Sequence, residues 1–105
     1  MTARPQPHSI EYTPEATSHL KSLGAHKAAK VLDTVARQLT HEPTVPTRNR
    51  KLLRANPIAP WELRVGDVRV YFDVTDEPER RVIIRAVGVK RRDRVIIGGE
   101  EVDLR

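Results

Sequence analysis

The chain has 105 residues, 19 Lys+Arg against 14 Asp+Glu, a formal net charge of +5 and no cysteine. That length allows one domain, residues 1–105, around a single modest core, and the missing cysteine excludes both a disulfide frame and a cysteine-based zinc site. No apolar run approaches a membrane span and no hydrophobic leader opens the chain, so a cytoplasmic protein is the default expectation, and the basic surplus favours an anionic partner such as nucleic acid.

Residues 1–7 carry two prolines and little apolar content and read as a flexible end. Ser9 to Tyr12 is a short first strand. Thr13-Pro14-Glu15 then has the form of a helix start: Thr13 as N-cap, Pro14 at the first helical position, and Glu15 in the electropositive first turn. Ala16, Leu20 and Leu23 share one face, and Gly24 ends the helix. A second helix is expected from Ala25 to His41, with Ala28, Val31, Leu32, Val35, Ala36 and Leu39 as its apolar stripe and Lys27, Lys30, Asp33 and Arg37 on the wet side. The short connection predicts an antiparallel helical hairpin. Pro43 stops it, and a linker runs to Thr47. The four histidines (His8, His19, His26 and His41) all fall in this half and read as surface residues.

From Arg48 the composition turns basic: Arg48, Arg50, Lys51 and Arg54 surround Leu52 and Leu53. Asn56-Pro57 and Ala59-Pro60 make a stiff lead-in to the most telling stretch, Trp61 to Val74. It alternates apolar and polar, which predicts two half-buried strands around a turn at Gly66-Asp67. A two-residue loop with glycine first suits a type II′ turn and sets the register. Val65 then faces Val68, Arg64 faces Arg69, Leu63 faces Val70 and Glu62 faces Tyr71. Trp61, Leu63, Val65, Val68, Val70 and Phe72 take one face; Glu62, Arg64, Arg69, Tyr71 and Asp73 take the other. Two arginines opposite each other repel at a cost of a few tenths to about 1 kcal/mol, which makes more sense with an anion between them.

Asp76 to Glu79 is an acidic turn around Pro78. Arg81 to Lys90 is rich in β-branched residues and reads as a central strand. Arg91, Arg92 and Arg94 follow, and Val95-Ile96-Ile97, Gly98-Gly99 and Val102-Asp103-Leu104 suggest a small terminal hairpin. The fold class is α+β: the helical hairpin packs on one face of a mainly antiparallel, twisted sheet. The apolar face of Trp61 to Phe72 takes the helices, and the opposite face is left open to solvent or ligand.

At these residues the chain resembles the RelE/ParE superfamily of toxins from type II toxin–antitoxin systems. The similarity runs from the first strand to about Arg94. Its best parts are Lys51-Leu52-Leu53-Arg54, then Trp61 through Tyr71, then Ala86-Val87-Gly88-Val89-Lys90-Arg91. The resemblance implies a small α/β toxin with no cofactor, neutralised by an acidic, partly disordered or helical antitoxin encoded beside it. RelE-like members cut messenger RNA, usually in the ribosome; ParE-like members act on DNA gyrase and share the fold without nuclease chemistry.

RNA cleavage of the RelE kind resembles attack of a 2′-hydroxyl on the adjacent phosphate. It needs a base, positive groups around the phosphate, and stabilisation of the leaving 5′-oxygen. The resemblance makes Arg69 the phosphate clamp, Arg64 a basic residue assisting the reaction, and Lys90 or Arg91 a further phosphate contact. A guanidinium suits the first role because it keeps its charge and offers a planar donor fork. Lys51, Arg54, Arg91, Arg92 and Arg94 are candidates for phosphate binding, and Tyr71 for stacking on a base. Each has an alternative: Arg69 as a surface ion pair with Glu62 or Asp73, the trailing arginines as a general electrostatic patch, Tyr71 as sheet packing, and Trp61 as core. Two departures stand out. Glu62 occupies the place of a catalytic lysine, which makes it, with Asp73, a candidate general base. No Tyr or His follows Phe72, so the expected aromatic acid near the C-terminus is replaced by Ile96, and Lys90 is the remaining proton donor. An mRNA endoribonuclease working on the ribosome is therefore the first expectation and a gyrase- or antitoxin-binding member without nuclease activity the second.

Overall fold

The computed structural model describes residues 7–103, so most of the expected flexible end, and Leu104 of the expected terminal hairpin, lie outside the described residues. The elements in order are β1 (Ser9–Tyr12), α1 (Pro14–Ser22), α2 (Ala25–Leu39), β2 (Arg50–Leu52), β3 (Trp61–Val65), β4 (Val68–Thr75), β5 (Arg81–Arg91), β6 (Arg94–Ile97) and β7 (Glu100–Val102). The strands form one seven-stranded sheet along the path β2-β3-β4-β5-β6-β7. Every neighbour on that path is antiparallel, while β1 pairs in parallel with residues 81–84 of β5.

The outer edge of β5 is shared, by β1 at its start and by β6 at its end. The first turns of α1 close the gap between them. The Thr13 N–H donates to the Ile84 carbonyl at 3.0 Å, and its hydroxyl donates to the Arg85 carbonyl at 3.2 Å. The same hydroxyl accepts from the Ala16 N–H at 3.1 Å, so the helix cap is also the bolt to the sheet. The Val87 N–H, next along the edge, donates to His19 Nδ1 at 3.2 Å. His19 is therefore not the surface residue expected. It is half-buried, and burial lowers its pKa below the ordinary 6.5, with Glu15 opposing. His8 is half-buried too, against Asp76 at 3.1 Å, whereas His26 and His41 are exposed as expected.

The main core lies between the helices and the sheet. Ala16 and Leu20 of α1 and Val31, Val35 and Leu39 of α2 meet the expected apolar face of β3 and β4, with Val82, Ile84 and Val87 of β5 completing the layer. Trp61 stacks on Phe72 with ring centroids 6.1 Å apart and belongs to this core. Burying each of the valine, leucine and isoleucine side chains among these is worth roughly 1.5–3 kcal/mol. The stripe on α2 is narrower than its sequence suggests. Val31, Val35 and Leu39 are buried at one residue per turn, but Ala36 is exposed and Leu32 is 45% exposed, because the sheet offers α2 a single line of contact.

One strand was not anticipated. The basic segment after the linker pairs with β3 as β2, Arg50 opposite Leu63 and Leu52 opposite Trp61. Arg50 holds it in place. It is 5% exposed, and its guanidinium donates to the carbonyls of Gln38 (2.6 Å), Glu42 (2.7 Å) and Val45 (2.9 Å). Those bonds take up carbonyls that the end of α2 and the linker leave open. They also explain why the helix stops at Leu39 rather than running to His41.

Replacing Arg50 by Met keeps the apolar stem and strands three buried acceptors. The expected loss is about 2–4 kcal/mol, read as a lower urea midpoint at unchanged slope. Protonating His19 abolishes its role as acceptor for Val87. Because its folded pKa lies below the unfolded 6.5, this contribution is intact above that pH and is lost as pH falls through the folded value. His19→Asn, which retains an acceptor at the same reach, should flatten the fall in melting temperature of the wild type between neutral pH and pH ~5.

Candidate functional site

The β3–β4 turn has Gly66 at φ 61, and Asp67 lies outside the left-handed region, as a type II′ turn requires. The register is the expected one: Val65 with Val68, Arg64 with Arg69, Leu63 with Val70 and Glu62 with Tyr71. With the apolar parity under the helices, Glu62, Arg64 and Arg69 are carried to the other face. Lys27 Nζ meets Asp67 Oδ2 at 3.1 Å, which ties the turn to α2 and holds the Asp67 carboxyl below the usual carboxylate range.

That second face is not open, contrary to the expectation from sequence. Tyr71 and Ala86 on its floor, Ala59 from the β2–β3 connection and Ile97 from β6 form a second small core, with Leu53, Ile58, Val95 and Val102 packed around it. The sheet is thus covered on both sides, and what remains on this side is a cleft of about 540 Å³. Glu62, Arg64 and Arg69 line it from the hairpin, Lys51 and Leu53 from one wall, and Lys90, Asp93, Arg94, Val95, Glu101, Val102 and Asp103 from the other.

The wall before β3 is shaped by Asn56. Its carbonyl oxygen accepts from the N–H groups of Ile58 (2.8 Å) and Ala59 (3.1 Å), and its amide donates to the carbonyls of Arg54 (2.8 Å) and Ala59 (2.9 Å). The opposite wall is the terminal hairpin, which forms as expected and extends the sheet as β6 and β7. Gly98 and Gly99 at φ 60 and 80 make its turn.

The cleft therefore collects Lys51, Glu62, Arg64, Arg69, Lys90 and Arg94 from the residues singled out by sequence. It leaves out four. Tyr71 is fully buried, so its ring has no face for a base. Arg54 lines a separate hollow of about 490 Å³ beside Asp73 and Arg85. Arg91 lies on the Asp67 side of the sheet, where its charge helps to depress that carboxyl, and Arg92 is exposed in the β5–β6 turn at φ 60.

Five cations share this cleft with four carboxylates, and their pairing is uneven. Arg94 is committed to Glu101 at 2.8 Å, and Lys51 stands 3.9 Å from Glu62. Arg69 is 8% exposed and pairs with neither Glu62 nor Asp73. It donates to the Gly66 (2.8 Å) and Val68 (3.1 Å) carbonyls, so its guanidinium is folded onto its own turn. Asp73 instead meets Arg85 at 3.7 Å, away from the cleft. Among the described residues, the side chains of Arg64 and Lys90 have no ion pair or hydrogen bond, and both are exposed. No group of acidic or imidazole side chains among the described residues could hold a metal ion.

Comparison with known proteins gives this fold its family. The family model described as ParE toxin of type II toxin–antitoxin system, parDE, matches residues 10–94. The chain belongs to the ParE toxin family. Within the wider RelE/ParE superfamily, the toxin is similar to a chain in the crystal structure of the RelBE2 toxin–antitoxin complex from Mycobacterium tuberculosis. The TM-score is 0.70 at 25% identity, over 83% of this chain and 95% of that one. No curated protein matches. The shared fold is two helices on a mainly antiparallel open sheet, and among the described residues no helix is long and apolar enough to cross a membrane.

One element of the toxin's family-like pattern has a steric cause. A Cβ on Gly88 of the Val87-Gly88 pair would stand 2.7 Å from Ile97 Cγ1, 2.8 Å from the Ile96 carbonyl oxygen and 2.9 Å from Val95 Cγ1. Only glycine lets β6 approach there and bring the far wall to the cleft. Gly88→Ala should push β6 and β7 outward and lower stability by about 1–3 kcal/mol. Amide exchange should then rise in residues 94–102 first.

Proposed function

We propose that this toxin is an endoribonuclease that cuts messenger RNA during translation and is held inactive by a cognate antitoxin. The observation that carries the reading is the meeting of two unpaired cations, Arg64 and Lys90, with Arg69 and Glu62 around one cleft. Unpaired cations at a concave site are a standing attraction for phosphate. A cleft of about 540 Å³ suits splayed single-stranded nucleotides rather than a duplex.

In this reading Arg64 and Arg69 grip the non-bridging oxygens of the scissile phosphate. Arg69 gives up part of its contact with its own turn to do so. The Glu62 carboxylate takes the proton of the adjacent 2′-hydroxyl, whose oxygen then attacks phosphorus. The bond to the 5′-oxygen breaks, Lys90 supplies the proton that oxygen needs, and the product carries a 2′,3′-cyclic phosphate. Solvent then returns a proton to Lys90 and removes one from Glu62. No metal is required, because the developing charge on phosphate is met by guanidinium groups. The RelBE2 complex, in which a similar chain is found with an antitoxin, supports an antitoxin partner here.

A second reading, a ParE-like toxin that binds DNA gyrase without cutting RNA, has in its favour the match to the ParE family model and one observation on the cleft. Among the described residues no imidazole or phenol lines the cleft, so the usual proton donors for such a reaction are absent. A reconstituted translation system separates the two. Cleavage of ribosome-bound message by the wild type, reduced roughly 10²–10³-fold by Arg64→Ala or Lys90→Ala, supports the nuclease. Intact message together with loss of supercoiling by purified gyrase supports the second reading instead.

A further inference from the structure

We infer that Tyr71 is a positioning residue for Glu62, an inference that rests on the nuclease reading. The two side chains stand directly opposite each other across β3 and β4 on the cleft side of the sheet. Tyr71 is fully buried and Glu62 is 7% exposed, yet only Glu62 reaches the cleft wall. The Tyr71 hydroxyl is buried and has no hydrogen bond of ordinary geometry.

A phenol in that position needs a reason. Its ring packs with Ala59, Ala86 and Ile97, a set of neighbours that phenylalanine would satisfy equally well. The chain places a phenylalanine at the next position, Phe72, where the ring enters the main core. An unbonded buried hydroxyl costs stability, so its retention points to a partner it meets at another stage. The carboxylate of Glu62 is the acceptor within reach. Burial first, and the Glu62 charge second, hold the phenol in its protonated form, so it keeps a proton to donate to a carboxylate.

Catalytic hydrogen bonds are often long before substrate arrives and tighten when it binds. As nucleotides fill the cleft and expel water, the Tyr71 hydroxyl closes on one oxygen of Glu62. That leaves the other oxygen turned to the cleft to accept the 2′-hydroxyl proton. The charged groups that line the cleft with Glu62 are Lys51 on β2, 3.9 Å from it, Arg64 on its own strand, Arg69 on β4, Lys90 on β5, Asp93 in the β5–β6 turn, Arg94 on β6, Glu101 on β7 and Asp103 just after it. None is a neutral donor, whereas Tyr71, directly across the strands from Glu62, can orient the carboxylate without neutralising it.

The test uses the full chain and Tyr71→Phe. On ribosome-bound message the variant should show an unchanged KM, a kcat about tenfold lower, and an acid limb of the kcat profile moved to higher pH, because the charged carboxylate has lost a donor. A purely structural role would lower stability without moving that limb. A readout independent of cleavage is the carboxyl carbon resonance of Glu62 in protein labelled with ¹³C at glutamate and saturated with a 2′-deoxy oligonucleotide that cannot be cut, which should shift in Tyr71→Phe. An unmoved limb together with an unmoved resonance overturns the inference. A wild type that cuts no message while the resonance still shifts overturns the nuclease reading and leaves the pair standing. Should Tyr71→Phe fail to fold, Glu62→Gln decides: faster exchange of the Tyr71 hydroxyl proton supports the pairing, and unchanged exchange overturns it.

Discussion

The register of the β3–β4 hairpin governs the molecule. Side chains alternate along a strand, so a slip of one residue would send Trp61, Leu63, Val70 and Phe72 into the cleft and Glu62, Arg64 and Arg69 under the helices. The Gly66-Asp67 turn prevents that slip by its conformation, and Lys27 holds the turn against α2 by its charge. Both sides of the sheet depend on this choice. One becomes the floor of the main core, and the other becomes the floor of a charged cleft between two walls.

Local chemistry made much of this readable. The turn residue, the alternation, the Thr13-Pro14 helix start and the glycine pair of the terminal hairpin are all signals within a few residues of one another. What sequence did not disclose depends on residues far apart. Arg50 looked like one more member of a basic run, but its guanidinium serves carbonyls of α2 and the linker. His19 accepts from a strand amide 68 residues away. Tyr71 lost its presumed exposure because the connection before β3 and the terminal hairpin meet above it. The narrow contact stripe on α2 has the same kind of cause: helical periodicity records which residues are able to face a sheet, not how wide the sheet's contact will be.

The cleft is not a simple basic patch. Its arginines and lysines differ in what they already hold. Arg94 is engaged by Glu101 and Arg69 by its own turn, whereas Arg64 and Lys90 are unengaged. Engaged cations shape a site and unengaged ones attract ligands more strongly, because a partner already offsets part of the charge and occupies some of its donors. Net charge alone, spread over the whole surface, would have pointed equally to Arg91 and Arg92, which the sheet carries away from the cleft. Fold similarity gives the toxin its family; the distribution of unengaged charge is what separates a candidate ligand site from a merely basic surface.

The parallel pairing of β1 with β5 has a consequence for synthesis. The first strand of the chain waits for a partner made near the end, and the far wall of the cleft is made later still. Chains fold as they are made, N-terminal segments first, so the two helices exist before the strand that receives β1 and before β6 and β7. Until those strands are present the two sides of the sheet are unequal: one can already collapse under the helices while the other lacks its far wall. The cleft is therefore among the last parts of the fold to take shape, after the core that supports it.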